Sequence, residues 1–118
     1  MVETKSEIRL RGMLGFAMRA GKVIIGTELI CSAMARGGKD KPRIILLSRS
    51  ASLGTKKKLS QKSEFYGVEC AVINIDSDEL GRMLGKLYAP AAVAIIDDGF
   101  ASEIRLAIDA IGREVTEN

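Results

Sequence analysis

Three short stretches carry residue types that could do chemistry. Asp97-Asp98-Gly99 follows an apolar run and could pass for a carboxylate pair engaged in acid–base or metal work. Aspartate is also favoured just before a helix, where it accepts from an exposed amide; with no third ligand evident, the capping role is expected. TKKKLSQK, residues 55 to 62, is either a nucleic-acid-contacting patch or the solvent face of a helix. Lys58 and Lys62 lie one turn apart there, with Lys56 and Lys57 pointing elsewhere. The third stretch, Gly26-Thr27-Glu28, opens GTELICSAMARGG. The chain leaves a strand and enters a helix with little side chain over the first amides. Unpaired N–H groups and the positive end of the helix dipole would face outward. Glycine as an ordinary cap explains the same residues. Alternatively, Thr27 and the amides contact a polynucleotide backbone while Glu28 accepts from base-edge donors.

Other chemistries start from a poor position. The chain has no histidine, which removes the commonest general base and any Ser-His or Cys-His nucleophile. Cys31 and Cys70 lack metal-ligand spacing and sit among apolar neighbours, so they are expected as buried thiols packed as small hydrophobes. ARGGKDK has glycines and a lysine, but it follows a helix and precedes a strand, the reverse of a phosphate loop. No metal site and no small-molecule cofactor are expected.

The elements that must position these residues alternate. Thr4 to Glu7 fits a capping box, followed by a helix to about Ala20 with Leu10, Met13, Leu14 and Ala17 on one stripe. Lys22 to Ile25 reads as a short β-branched strand. The helix beginning at Gly26 follows, ended by Gly37-Gly38. RIILLS, residues 43 to 48, has the continuous apolar character of a strand buried on both faces. A basic helix from about Thr55 to Tyr66 closes at Gly67. CAVINI, residues 70 to 75, is the next strand. A short helix capped from Asp76 carries Leu80, Met83 and Leu84, and AAVAIID, residues 91 to 97, is the last strand. The final helix runs from about Phe100 to Gly112. This order predicts an α/β fold: a three-layer α/β/α sandwich around a mixed sheet of about four strands. Residues 1–118 are expected to form a single domain with loosely ordered ends.

Charge is distributed unevenly. From Arg36 to Lys62 there are nine basic residues and one acid, so a net +3 chain divides into a +8 block and a −5 remainder. Such polarity favours an anionic partner. No apolar run approaches the roughly 18 residues needed to span a bilayer. MVETKSEIRLRG carries charge where a signal peptide would need apolar residues. A cytoplasmic location with no membrane partner is expected.

Several segments in order carry a resemblance: LGFAMRAGKVIIGTELI, RIILLSRSASLGTKKKL, FYGV, ELGRMLGK and AVAIIDDGFA. From about Leu10 to Ile108 the chain resembles the kink-turn-binding ribosomal protein superfamily (L-seven-Ae / L-thirty-e-like), and among its branches the short bacterial YlxQ type. The resemblance implies the same sandwich and a noncatalytic, RNA-binding, ribosomal or ribosome-associated protein. Its partner would be structured RNA of kink-turn type, sharply bent and containing tandem sheared G·A pairs. The family's binding motif falls on Gly26, Thr27, Glu28, Leu29 and Ser32. A second contact, from the loop after the short helix, falls on Lys86, Leu87, Tyr88 and Ala89, with Tyr88 able to stack on a base. Arg36, Lys39 and Lys57 are candidate phosphate contacts. The family usually has lysine at the position of Ser32 and often a polar or acidic residue at that of Leu29. Losing one phosphate contact lowers the salt slope of binding by about 0.9. The alternative is a protein-interaction module on the same fold, with RNA binding weakened.

Overall fold

The computed structural model describes residues 3–117, with side chains as far as Glu114. The expectation of loose ends falls largely on residues outside that range. Nine elements follow one another: α1 (Lys5–Arg19), β1 (Val23–Ile25), α2 (Thr27–Arg36), β2 (Ile44–Ser48), α3 (Leu53–Tyr66), β3 (Glu69–Ile73), α4 (Ser77–Met83), β4 (Ala92–Ile95) and α5 (Asp98–Glu117). The four strands form one mixed sheet in the order β1-β4-β2-β3. β2 runs parallel to β3, and β4 runs antiparallel to both β1 and β2.

Period-2 alternation along the central strands separates two cores. Ile44, Leu46, Val93 and Ile95 point to one face, where Leu10, Leu14, Leu80, Leu84 and Ile104 cover them. Ile45, Leu47, Ala92 and Ala94 point to the other, against Ile30, Met34 and Leu59. Helices α1, α4 and α5 therefore form one outer layer and α2 and α3 the other, which is the expected sandwich. The alanines of β4 on the α2 side leave room for that helix to lie close to the sheet.

Caps decide where the helices begin. Thr4 Oγ1 accepts from Glu7 N at 3.1 Å, and Asp76 Oδ1 from Glu79 N at 2.8 Å. α3 starts at Leu53, two residues before the expected Thr55, because Ser52 Oγ takes the capping position and accepts from Thr55 N at 3.1 Å. Asp97 likewise caps α5, its Oδ2 accepting from Phe100 N at 2.9 Å, so the helix starts at Asp98. α5 also runs through Gly112 to Glu117 instead of ending there. An interior glycine costs a helix only about 1 kcal/mol, and Ser6 Oγ donates to Glu114 Oε1 at 2.6 Å, holding the late turns of α5 against α1.

Candidate nucleic-acid interface

The last residue of β1, Ile25, pairs with Val93, and Gly26 continues the ladder by donating to Ala92 O at 3.1 Å. Gly26 must then turn the chain into α2, at φ 106° and ψ 143°. Side-chain-bearing residues rarely adopt that conformation, although a Cβ there would meet no atom within 4 Å. The first intrahelical bond runs from Ile30 N to Gly26 O at 3.0 Å, and no side chain caps the helix start. The amides of Thr27, Glu28 and Leu29 therefore precede the hydrogen-bonded ladder, at the positive end of the helix dipole. With Glu28 and Leu29 exposed, this end is open to solvent.

α2 presents different chemistry on its two flanks. Leu29, Ser32 and Arg36, at helical spacing, line an open groove of about 520 Å³ together with Lys86 and Tyr88. The groove floor comes from β1 and the end of α1, through Val23, Ile25 and Met18. Leu29 is 64% exposed and Tyr88 56%, so an aromatic ring and an apolar side chain face solvent beside two cations. The other flank faces α3, where Glu28 Oε1 meets Lys58 Nζ at 2.9 Å. That hydrogen bond, then the Lys58 charge, lowers the Glu28 pKa, and the same contact raises that of Lys58. Glu28 is thus held as an anion.

Gly81 positions the loop that brings Lys86 and Tyr88 to α2. It is buried in α4, and a Cβ there would overlap the Tyr88 carbonyl oxygen and crowd Pro90 Cδ. α4 is itself anchored by hydroxyls: Ser77 N donates to Ser50 Oγ at 2.8 Å, and Ser77 Oγ donates to Ser48 Oγ at 2.9 Å. The Ser77 Oγ bond, together with a 3.0 Å contact between Ser48 Oγ and Ser50 Oγ, satisfies the fully buried Ser48 at the end of β2.

Two segments of the expected RNA site, separated by some fifty residues, are thus brought together: Leu29, Ser32 and Arg36 with Lys86 and Tyr88. Leu87 and Ala89 lie on the same loop, exposed but outside the groove lining. Lys39 lies past Gly37-Gly38, beyond the opposite end of α2, and lines none of this groove. Lys57 sits on α3, and its expected orientation is corrected. It stands between two grooves, lining one with Lys58 and Lys62, on the stripe of positions 54, 57, 58, 61, 62 and 65, and another with Lys56. Lys56 does turn aside, donating to Arg49 O at 3.0 Å.

The remaining candidates are accounted for locally. Asp97 is the α5 cap, and Asp98 accepts from Arg43 Nε at 2.8 Å. Cys31 and Cys70 are half-buried, less enclosed than expected, because they face α3 from the margin of the smaller core. Burial raises the Cys70 thiol pKa. The residue that sequence reasoning missed is Lys58 as the partner of Glu28, since nothing local pairs positions thirty residues apart. Phe65, 81% exposed at the end of the lysine stripe, was detectable from its helical spacing.

An α/β/α sandwich presenting an uncapped helix start between a mixed apolar–cationic groove and a lysine-lined helix defines the class of protein. The model of the Ribosomal protein L7Ae/L30e/S12e/Gadd45 family matches residues 9–105, and the chain belongs to that family. It is 37% identical over 98 residues to the RNA-binding protein YlxQ of Enterococcus faecium, covering 82% of this chain and 88% of that one. Against the RNA-binding protein YlxQ of Bacillus subtilis it is 33% identical over 97 residues, covering 82% and 92%. Among solved structures, a Bacillus halodurans protein described as of unknown function superposes with a TM-score of 0.77 at 30% identity, over 86% of this chain and 97% of that one. The Giardia lamblia 15.5kD RNA binding protein superposes at 0.74 over 96% and 92%; at 14% identity, that likeness is one of fold.

Proposed function

We propose that this protein is a noncatalytic RNA-binding protein that docks on bent, structured RNA of kink-turn type, in a ribosomal or ribosome-associated setting in the cytoplasm. The observation that carries the reading is the convergence at the α2 start: three amides without a side-chain cap, the Glu28 carboxylate, and the groove of Leu29, Ser32, Arg36, Lys86 and Tyr88. Relatives at 33–37% identity that are named RNA-binding proteins support it.

In this mechanism the amides of Thr27 and its neighbours meet the RNA backbone at the bend, where the helix dipole favours phosphate. Glu28 accepts from donors on base edges, and its depressed pKa keeps it in the accepting form. Tyr88 and Leu87 pack on an unstacked nucleotide, the mode by which proteins read irregular RNA. Arg36 supplies phosphate neutralisation on a flank where Ser32 carries no charge. Lys39, outside the groove, would reach only a flanking stem.

Affinity for a kink-turn, compared with the same RNA whose G·A pairs are replaced, tests the mechanism. A clear preference for the intact kink-turn is expected, and equal affinity would discard it. Glu28→Ala should lose more of that preference than Lys57→Ala; parity would remove Glu28 from its role. The exposed apolar side chains Leu29 and Leu87 favour one rival, a protein-docking surface on the same fold. Purified protein carrying 260-nm absorbance that salt removes would decide for RNA.

A further inference from the structure

The outward face of α3 enters the docking just described only through Lys58, which pairs with Glu28. Lys57, Lys58 and Lys62 line an open groove of about 530 Å³ with Gln61, Phe65 and Tyr66, and no acidic residue lines it. Phe65 is 81% exposed, and Tyr66 buttresses it edge-on, with ring centroids 4.9 Å apart and planes at 88°. A core function for that phenylalanine is excluded by its exposure. The stripe also touches the α2 site: Lys58 holds Glu28, and Phe65 lies seven residues further along, about 10 Å at 1.5 Å per residue.

We propose that this face binds a single-stranded RNA segment leaving the bent RNA docked at α2, with phosphates tracking the lysines and a base stacking on Phe65. The inference rests on the RNA-binding reading above. Cations along a groove with an exposed aromatic at its end match what a single strand offers, since phosphates follow the charge and any unpaired base has a face to stack. A duplex stem would satisfy the lysines but leave Phe65 without a partner, because its bases are already stacked. A protein partner would have to be acidic and to bury a ring standing apart from the larger apolar surface at Leu29 and Leu87.

The test uses the full chain and fluorescently labelled kink-turn RNAs: blunt, with a short oligouridine tail on the 5′ strand end, or with that tail on the 3′ end. At least one tail should raise affinity. Phe65→Ala should abolish roughly fivefold or more of that gain, leave blunt-RNA binding and the melting temperature unchanged, and be rescued by Phe65→Tyr. Lys57→Gln should lower the salt slope on tailed RNA by about 0.7, the value for one single-strand phosphate contact. No tail gain, or the same gain in wild type and Phe65→Ala, overturns the proposal and leaves the face to a protein. Loss of G·A preference with the tail gain intact would instead overturn the kink-turn mechanism and leave this inference standing.

Discussion

The two helical layers of this sandwich differ in what their charges do. On the α1/α4/α5 side, Arg9 pairs with Glu103, Arg11 with Glu3 and Glu79, and Arg105 with Glu69, while Ser6 donates to Glu114. On the α2/α3 side, Lys58–Glu28 is the ion pair between the helices, and the side chains of Arg36, Lys39 and Lys57 make no hydrogen bond or ion pair among the described residues. The cores differ in the same sense: 14 buried residues among those described under the first layer, 8 under the second. The first layer pairs most of these charges internally, although Ile8, Phe16 and Leu106 on it are also half exposed or more. The other leaves cations and apolar side chains in solvent, an arrangement that costs little in folding and becomes useful when a polyanion arrives. On the proposed reading, the division would separate stability from binding.

The sharpest way to break that division is to truncate the larger core. Leu14 is fully buried among α1, α5 and the sheet. Leu14→Ala should cost about 3 kcal/mol, the transfer loss plus a cavity, measured by urea unfolding. Below its transition, the variant should bind RNA with wild-type affinity. A binding defect in the folded variant would mean that the layers are coupled.

Gly26 joins the two roles, since it is where the sheet hands the chain to α2. Gly26→Ala should cost roughly 1–3 kcal/mol from backbone strain at φ 106°, because a Cβ there finds open space and no clash. The loss should fall more heavily on kink-turn affinity than on stability, because the strain is relieved by moving the uncapped amides. Unchanged affinity with reduced stability would assign Gly26 to the fold alone.

Legibility in the sequence followed locality. The layers and the alternation of elements came from periodicity, and the helix starts at Thr4 and Asp76 from capping chemistry within four residues. The α2 start was readable because Gly26 and the strand before it are contiguous. The strand order β1-β4-β2-β3 carries no local mark, and neither does the Lys58–Glu28 pair. α3 began early because Ser52 and Thr55 both suit a helix start, and only packing chooses between them. α5 continued past Gly112 because its contact with Ser6, more than a hundred residues away, outweighs a local breaker. For the candidate interface, the resemblance supplied the two segments and the fold supplied their adjacency. Lys57 was misdirected by treating the lysines as pairs; positions 54 to 65 needed to be read as one stripe.

The smallest expected effect concerns the contact that joins α2 to α3. Glu28 and Lys58 are both surface groups, so their pair contributes little to stability, and solvent screens it. Its consequence is protonation. The hydrogen bond from Lys58, followed by its charge, lowers the Glu28 pKa below the ordinary carboxylate value. The pair's stabilisation is therefore present above the ordinary carboxylate range and lost as pH falls through the lowered pKa. On the alkaline side it is present below 10.5 and lost as pH rises through the raised pKa of Lys58. A ¹³C NMR titration of the Glu28 carboxyl should show its midpoint rising toward the ordinary value in Lys58→Ala. In that variant, acid loss of G·A discrimination should begin at higher pH than in wild type. An unchanged midpoint would mean that Lys58 does not hold Glu28 in solution, and the α3 stripe would then act on RNA independently of the α2 start.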